Sequence, residues 1–89
     1  MIPKNRWPTH PGVILILEFL EPMGISQTKL AHDLKIPIQR VNTLINGKRG
    51  VTAETAILLS GYLKTTPEFW MNLQASCDLY EAQRAFVAA

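Results

Sequence analysis

Gln39, Arg40, Asn42 and Thr43 stand together on one side of a short segment, and its apolar residues, Val41, Leu44 and Ile45, fall on the other side at helical spacing. Amide, guanidinium and hydroxyl side chains are the types that hydrogen-bond base edges or hold phosphate oxygens. Gly47-Lys48-Arg49-Gly50 follows at once, two cations on a loop flanked by glycines. The charge is lopsided in the same sense. Residues 1–50 hold seven Lys/Arg against three Asp/Glu, net +4, whereas residues 51–89 hold two against four, net −2. Lys29, Lys35, Arg40, Lys48 and Arg49 all lie in or beside this segment. The chemistry indicated is the reading of a polyanion, a nucleic acid, by one helical surface.

Other chemistries lack their residues. His10 and His32 are 22 positions apart and the single cysteine, Cys77, is far from both, so no pair has metal-ligand spacing and neither a metal nor a cofactor is expected. No glycine-rich phosphate loop follows a strand, and no Ser, His and acidic residue are arranged as an activated nucleophile. The chain is therefore not expected to be an enzyme. His32 falls on the exposed side of its helix, suited to a phosphate or to solvent, and His10 is a helix-start residue. Cys77 reads as a small buried hydrophobe, and one cysteine makes no internal disulfide.

The elements that must position the polar residues are legible from their punctuation. Ser26 is a good N-cap, and Leu30, Ala31 and Leu34 repeat at the spacing of one buried helical face. Lys35-Ile36-Pro37 breaks this helix, because the residue before a proline is pushed toward extended geometry. Pro37 can open the next helix, where a missing N–H costs nothing, and Asn46-Gly47 ends it with residues that tolerate the left-handed conformation. Two short helices joined by a tight turn over residues 26–46 form a helix-turn-helix, whose second helix suits a DNA groove. Around it, Thr9 or His10 with Pro11 starts a first helix that runs to about Glu21, stopped by Pro22-Met23-Gly24. Burying Ile14, Leu17 and Leu20 of that helix leaves Val13 or Ile16 partly outward. Thr52 with Glu54 starts a fourth helix, in which Ala56, Leu59 and Leu63 face inward, helped by Ile57 or Tyr62. Thr66-Pro67-Glu68 starts a fifth, over residues 66–85, with Trp70, Leu73, Cys77 and Tyr80 on one face.

The 89 residues suffice for one domain over 1–89, all-α, with residues 1–8 as an extended arm. An apolar fraction of 47% excludes a disordered chain, and a net charge of +2 suits a local basic surface rather than a polycation. Val13-Ile-Leu-Ile-Leu17 is far short of the ~20 residues that span a bilayer. No small-residue cleavage site follows it, so a cytoplasmic protein without a membrane partner is expected.

Gln27, Leu30-Ala31, Leu34, Val41, Leu44 and Asn46-Gly47-Lys48 resemble the helix-turn-helix of the phage Cro and repressor type, and imply a five-helix, lambda-repressor-like fold. The flanks resemble those of HigA antitoxins, also called virulence-associated protein I. They are His10-Pro11-Gly12, then Asn46 to Thr52, then Pro67-Glu68-Phe69-Trp70-Met71-Asn72-Leu73-Gln74 with Asp78-Leu79. The resemblance covers residues 10–82. It implies a homodimeric repressor of its own operon, bound to a palindromic operator in double-stranded DNA. It also implies a companion HigB-like toxin that cleaves translated mRNA. The rival reading is a stand-alone phage-like repressor with no toxin partner. By position, the resemblance gives Gln27 a phosphate contact from the start of the second helix. It turns Gln39, Asn42 and Thr43 to base edges and sets Arg40, Asn46, Lys48 and Arg49 on the DNA backbone. Two residues depart from the pattern. Lys35 stands where the turn usually has glycine, and a left-handed non-glycine residue costs about 1 kcal/mol. Ile38 stands where relatives often carry a polar residue, and it offers only apolar contact to a thymine methyl.

Overall fold

His10 caps the first helix in extended backbone geometry, its Nδ1 accepting the Gly12 N–H at 2.9 Å, and Pro11 takes the first helical position. In the computed structural model, which describes residues 8–88 (Ala88 by its backbone alone), this helix, α1, has three parts. It starts as α-helix at Pro11–Ile14, widens to a π-helical turn at Leu15–Leu20, and closes as α-helix at Glu21–Met23. The widening has a local cause. Pro22 has no N–H for the carbonyl four residues back, and its ring would crowd that carbonyl. The Glu21 N–H therefore bonds five residues back, to the Ile16 carbonyl.

The inner face runs through Gly12 and Leu15 rather than Ile14, and the π turn brings Leu20, five residues on, to the same side. Leu15 is fully buried, whereas Leu17, expected in the core, is 52% exposed; Leu20 is buried and Ile14 half-buried. Val13 is exposed, in line with an outward apolar position in this helix. The expected arm over residues 1–8 lies, Pro8 apart, outside the described residues.

Helix α2 spans Gln27–Leu34, with the Ser26 hydroxyl accepting the Lys29 N–H at 3.0 Å and Leu30, Ala31 and Leu34 buried. Lys35 ends it in the left-handed region (φ 59°), its N–H and that of Ile36 returning to the Ala31 and His32 carbonyls. Helix α3 spans Ile38–Ile45, and Pro37 serves as its N-cap, one position earlier than the first helical residue. Helix α4, Ala53–Leu63, starts from the Thr52 hydroxyl, which accepts the Thr55 N–H. On α4, Tyr62 rather than Ile57 supports the inner stripe, and Ile57 is exposed. Helix α5, Pro67–Ala88, starts from Thr66 and runs three residues past its expected end.

One core joins them: Leu15, Leu20, Leu30, Ala31, Leu34, Val41, Leu44, Val51, Ala56, Leu59, Leu63 and Trp70. Helix α2 packs on α3, α4 packs along α5, and α1 crosses both α3 and α5. Trp70 is wholly buried, its indole N–H donating to the Thr65 hydroxyl at 2.8 Å and its ring 5.4 Å from Phe19 and 5.0 Å from Phe69. Among the described residues the fold is five helices without a strand, and no helix is long and apolar enough to cross a membrane.

Candidate nucleic-acid interface

Helix α3 buries Val41 and Leu44 and packs Ile38 and Ile45 against the core, so its opposite side faces solvent. Gln39, Asn42 and Asn46 are exposed there. Thr43 is half-buried, and its hydroxyl donates to the Gln39 carbonyl (2.9 Å) with the Arg40 carbonyl at 3.2 Å. Its donor is thus used within the helix, which leaves its lone pairs and methyl for an incoming surface. Ile38 is only partly available, because it is held against the core. Gln27 is half-buried at the first position of α2.

The cationic loop is tied down at both ends. Gly47 adopts φ 75°, and the N–H groups of Lys48 (2.9 Å) and Arg49 (3.2 Å) both donate to the Thr43 carbonyl. At the far end the Val51 N–H donates to Gln74 Oε1 at 2.8 Å, and Gln74 Nε2 in turn donates to Asp78 at 2.9 Å. Lys48 and Arg49 therefore project, exposed, from a fixed backbone beside α3. Pro37, Gln39, Arg40, Thr43 and Arg49 line an open depression of about 250 Å³ on this side. Asn42, Asn46, Lys48, Gln27 and Ile38 do not line it.

Arg40 is placed differently from the outward position its sequence predicts. Its guanidinium folds back onto α4, donating to Glu54 Oε1 at 2.6 Å and Thr55 Oγ1 at 3.1 Å. A second surface network joins α2 to α4. There Asp33 accepts from Tyr62 and pairs with Lys29 Nζ at 3.1 Å. The Tyr62 hydroxyl, then Lys29 and His32, pull the Asp33 carboxyl down to about 2.

The arrangement is a helix-turn-helix by geometry: two helices, a left-handed turn residue between them, and a second helix packed on the core by one side with its polar side in solvent. A family model described as helix-turn-helix matches residues 16–70, which take in α2, α3 and α4. The chain belongs to the helix-turn-helix family. It is 44% identical over 79 residues to YbaQ, an HTH-type transcriptional regulator of Escherichia coli (89% of this chain, 70% of YbaQ). It is 44% identical over 83 residues to antitoxin HigA-1 of Vibrio cholerae (92% and 77%). To virulence-associated protein I of Dichelobacter nodosus it is 40% identical over 82 residues (91% and 76%). Antitoxin HigA of Pseudomonas aeruginosa, solved with the higBA promoter, superposes with a TM-score of 0.85 at 44% identity, covering 88% of this chain and 85% of that one. The resemblance to HigA antitoxins and virulence-associated protein I read from the motifs is thereby met.

Three residues that support this helix-turn-helix carry no signal in periodicity. A Cβ on Gly12 would lie 2.1 Å from the Leu44 carbonyl oxygen, so only glycine lets α1 cross the end of α3. Gln74 lies 23 residues from the Val51 amide that it holds. Glu54 was legible as a first-turn acid but not as the partner of Arg40. The HigA-like motifs include Gly12 and Gln74, the one signal that marks them.

Proposed function

We propose that this chain is a DNA-binding antitoxin of a toxin–antitoxin module. It binds a palindromic operator as a homodimer, represses its own operon and restrains a HigB-like, mRNA-cleaving toxin. The observation that carries the reading is the exposed face of α3, with Gln39 and Asn42 beside the anchored Lys48-Arg49 loop, in a chain 44% identical to a HigA solved with its promoter. In the major groove, Gln39 and Asn42 suit bidentate hydrogen bonds to adenine, and the Thr43 methyl suits a thymine methyl. Lys48, Arg49, Asn46 and Gln27 hold phosphates and set the register. Two copies place their recognition helices ~34 Å apart, one turn of DNA. The end of α5, exposed from Glu81 to Val87 and carrying Phe86 and Val87, supports a second copy as the pairing partner.

The test is binding of the chain to DNA from upstream of its own gene against random duplex. Gln39→Ala should relax discrimination at one base pair by ~1–3 kcal/mol, while Arg49→Ala should weaken binding to every sequence alike. Equal losses for Gln39→Ala on both duplexes remove it from the base-reading set.

A second reading, a stand-alone regulator, is favoured by the equal identity to YbaQ, whose name carries no toxin partner. Co-expression separates the two. An antitoxin reverses the growth arrest caused by the product of the neighbouring gene, and a stand-alone repressor does not.

A further inference from the structure

Arg40 sits on the recognition helix and lines the depression there, yet its guanidinium is committed to α4. Its side chain is only 25% exposed, and its Nε is buried without a hydrogen-bond partner. Its guanidinium donates to two residues of α4: Glu54 at 2.6 Å and the hydroxyl of buried Thr55 at 3.1 Å. The Thr55 hydroxyl lies 3.1 Å from that of Thr52, the residue that caps α4. One polar network therefore runs from the middle of α3 into the start of α4.

We propose that Arg40 and Glu54 act as a positioning pair that sets the rotation of α3, so that Arg40 governs base discrimination through Gln39 and Asn42 and makes no phosphate contact. The inference rests on the DNA-binding reading above.

The argument is geometric. Helix α3 has eight residues, with Val41 and Leu44 buried and Ile38 and Ile45 half-buried against the core. Such an apolar face sets the distance of the helix from the core, but its contacts have no direction of their own and hold rotation about the axis loosely. Arg40 leaves the helix to one side of that face and ends on a different element, which makes it a lever against rotation. A rotation of ~10° moves a side-chain tip ~5–6 Å from the axis by about 1 Å, enough to spoil a bidentate contact. Its planar fork, shared between a carboxylate and a hydroxyl, holds direction as lysine cannot. Glu54 also cancels the Arg40 charge, which leaves the attraction for phosphate to Lys48 and Arg49.

The competing role is a phosphate contact that Glu54 merely masks. Titration of operator and random duplex at several salt concentrations separates the two, using wild type, Arg40→Ala, Arg40→Lys, Glu54→Ala and the Arg40→Ala/Glu54→Ala double variant. All are measured well below their unfolding midpoints, where a purely stabilising contact leaves the operator-to-random ratio unmoved. A positioning pair predicts that Arg40→Ala, Arg40→Lys and Glu54→Ala each lower that ratio, by roughly tenfold. The double variant should lose no more than the singles, and the salt slope should stay at the wild-type value. A phosphate contact predicts the reverse. Glu54→Ala then tightens both duplexes, Arg40→Lys retains the ratio, and Arg40→Ala removes about one unit of salt slope. Any of these results overturns the proposal. A wild-type chain with no preference for operator ends the DNA-reading assignment and the pair's role with it, whereas preference that survives in Arg40→Ala ends the pair's role alone.

Discussion

Gly12 and His10 show how much one residue controls at the entry to α1. Adding a methyl at Gly12 drives it into the Leu44 carbonyl, 2.1 Å away, where backbone must move. Gly12→Ala should cost ~1–3 kcal/mol, as overpacking does, and should displace the end of α3. Urea unfolding measures the first effect and amide chemical shifts of residues 44–47 the second. His10 caps the same helix through an unprotonated Nδ1, and burial pushes its pKa below the usual 6.5, against a smaller upward pull from Asp78. The folded state thus binds the proton less readily than the unfolded chain. The stability that the cap contributes is fully present above pH 6.5 and is lost as pH falls below it. Asn is a good cap without a proton to gain, so His10→Asn should flatten this step in thermal melts between pH 7 and 5. Asp33, held near 2 against an ordinary 3.8, has its own step. Its contribution is present above pH 4 and lost as pH falls toward 2, and Tyr62→Phe should raise its pKa in an NMR titration.

Among the elements, α1 and α5 make the sharpest claims. Helix α1 puts Leu15 and Leu20 in the core, brought to one side by the π turn, and Leu17 in solvent, the opposite of a helix buried through Ile14 and Leu17. Leu15→Ala should therefore cost ~2–5 kcal/mol, while Leu17→Lys should stay within about 0.5 kcal/mol of wild type. Equal destabilisation by both would restore a helix buried through Leu17. Helix α5 is anchored by Trp70, with Phe19 and Phe69 against its ring and Thr65 on its N–H. Trp70→Ala should cost ~3–5 kcal/mol out of a total of ~5–15, so loss of DNA binding in that variant should follow loss of structure. A thermally normal Trp70→Ala that had lost a partner would make Trp70 a contact residue instead.

For the whole molecule, the separation of charge sets how it meets its target. The exposed cations Lys35, Lys48 and Arg49 lie at the α2–α3 turn and just beyond α3, whereas α5 carries Glu68, Asp78 and Glu81 against Arg84. A phosphate backbone should be drawn to the first surface and repelled by the second, so α5 is expected to lie away from bound DNA. A dimer that neutralises ~6–10 phosphates should lose ~10³–10⁵ in affinity between 50 and 200 mM salt. A shallow dependence in anisotropy titrations would mean far fewer phosphate contacts than a paired helix-turn-helix makes.

Much of this was legible in the sequence, because it depends on near neighbours. Ser26, Thr52 and Thr66 cap helices wherever they are followed by helix formers. Lys35-Ile36-Pro37 breaks a helix through sterics confined to adjacent residues. The apolar spacing of Leu30, Ala31, Leu34, Val41 and Leu44 settles which face of α2 and α3 is wet, and so exposes Gln39 and Asn42. The tertiary structure alone decided what depends on residues remote in the chain or on how backbone donors are shared. Pro22 takes a donor from α1, and the resulting five-residue bonding sets Leu15 and Leu20 on one buried side, a spacing that no fixed 3.6-residue period contains. Gly12 matters because the Leu44 carbonyl arrives against it, Gln74 because the Val51 amide does, and Arg40 because α4 brings Glu54 within reach. Each of these pairs is joined by the packing of helices, and a side chain's type states what it can bond, not which distant partner the packing will supply.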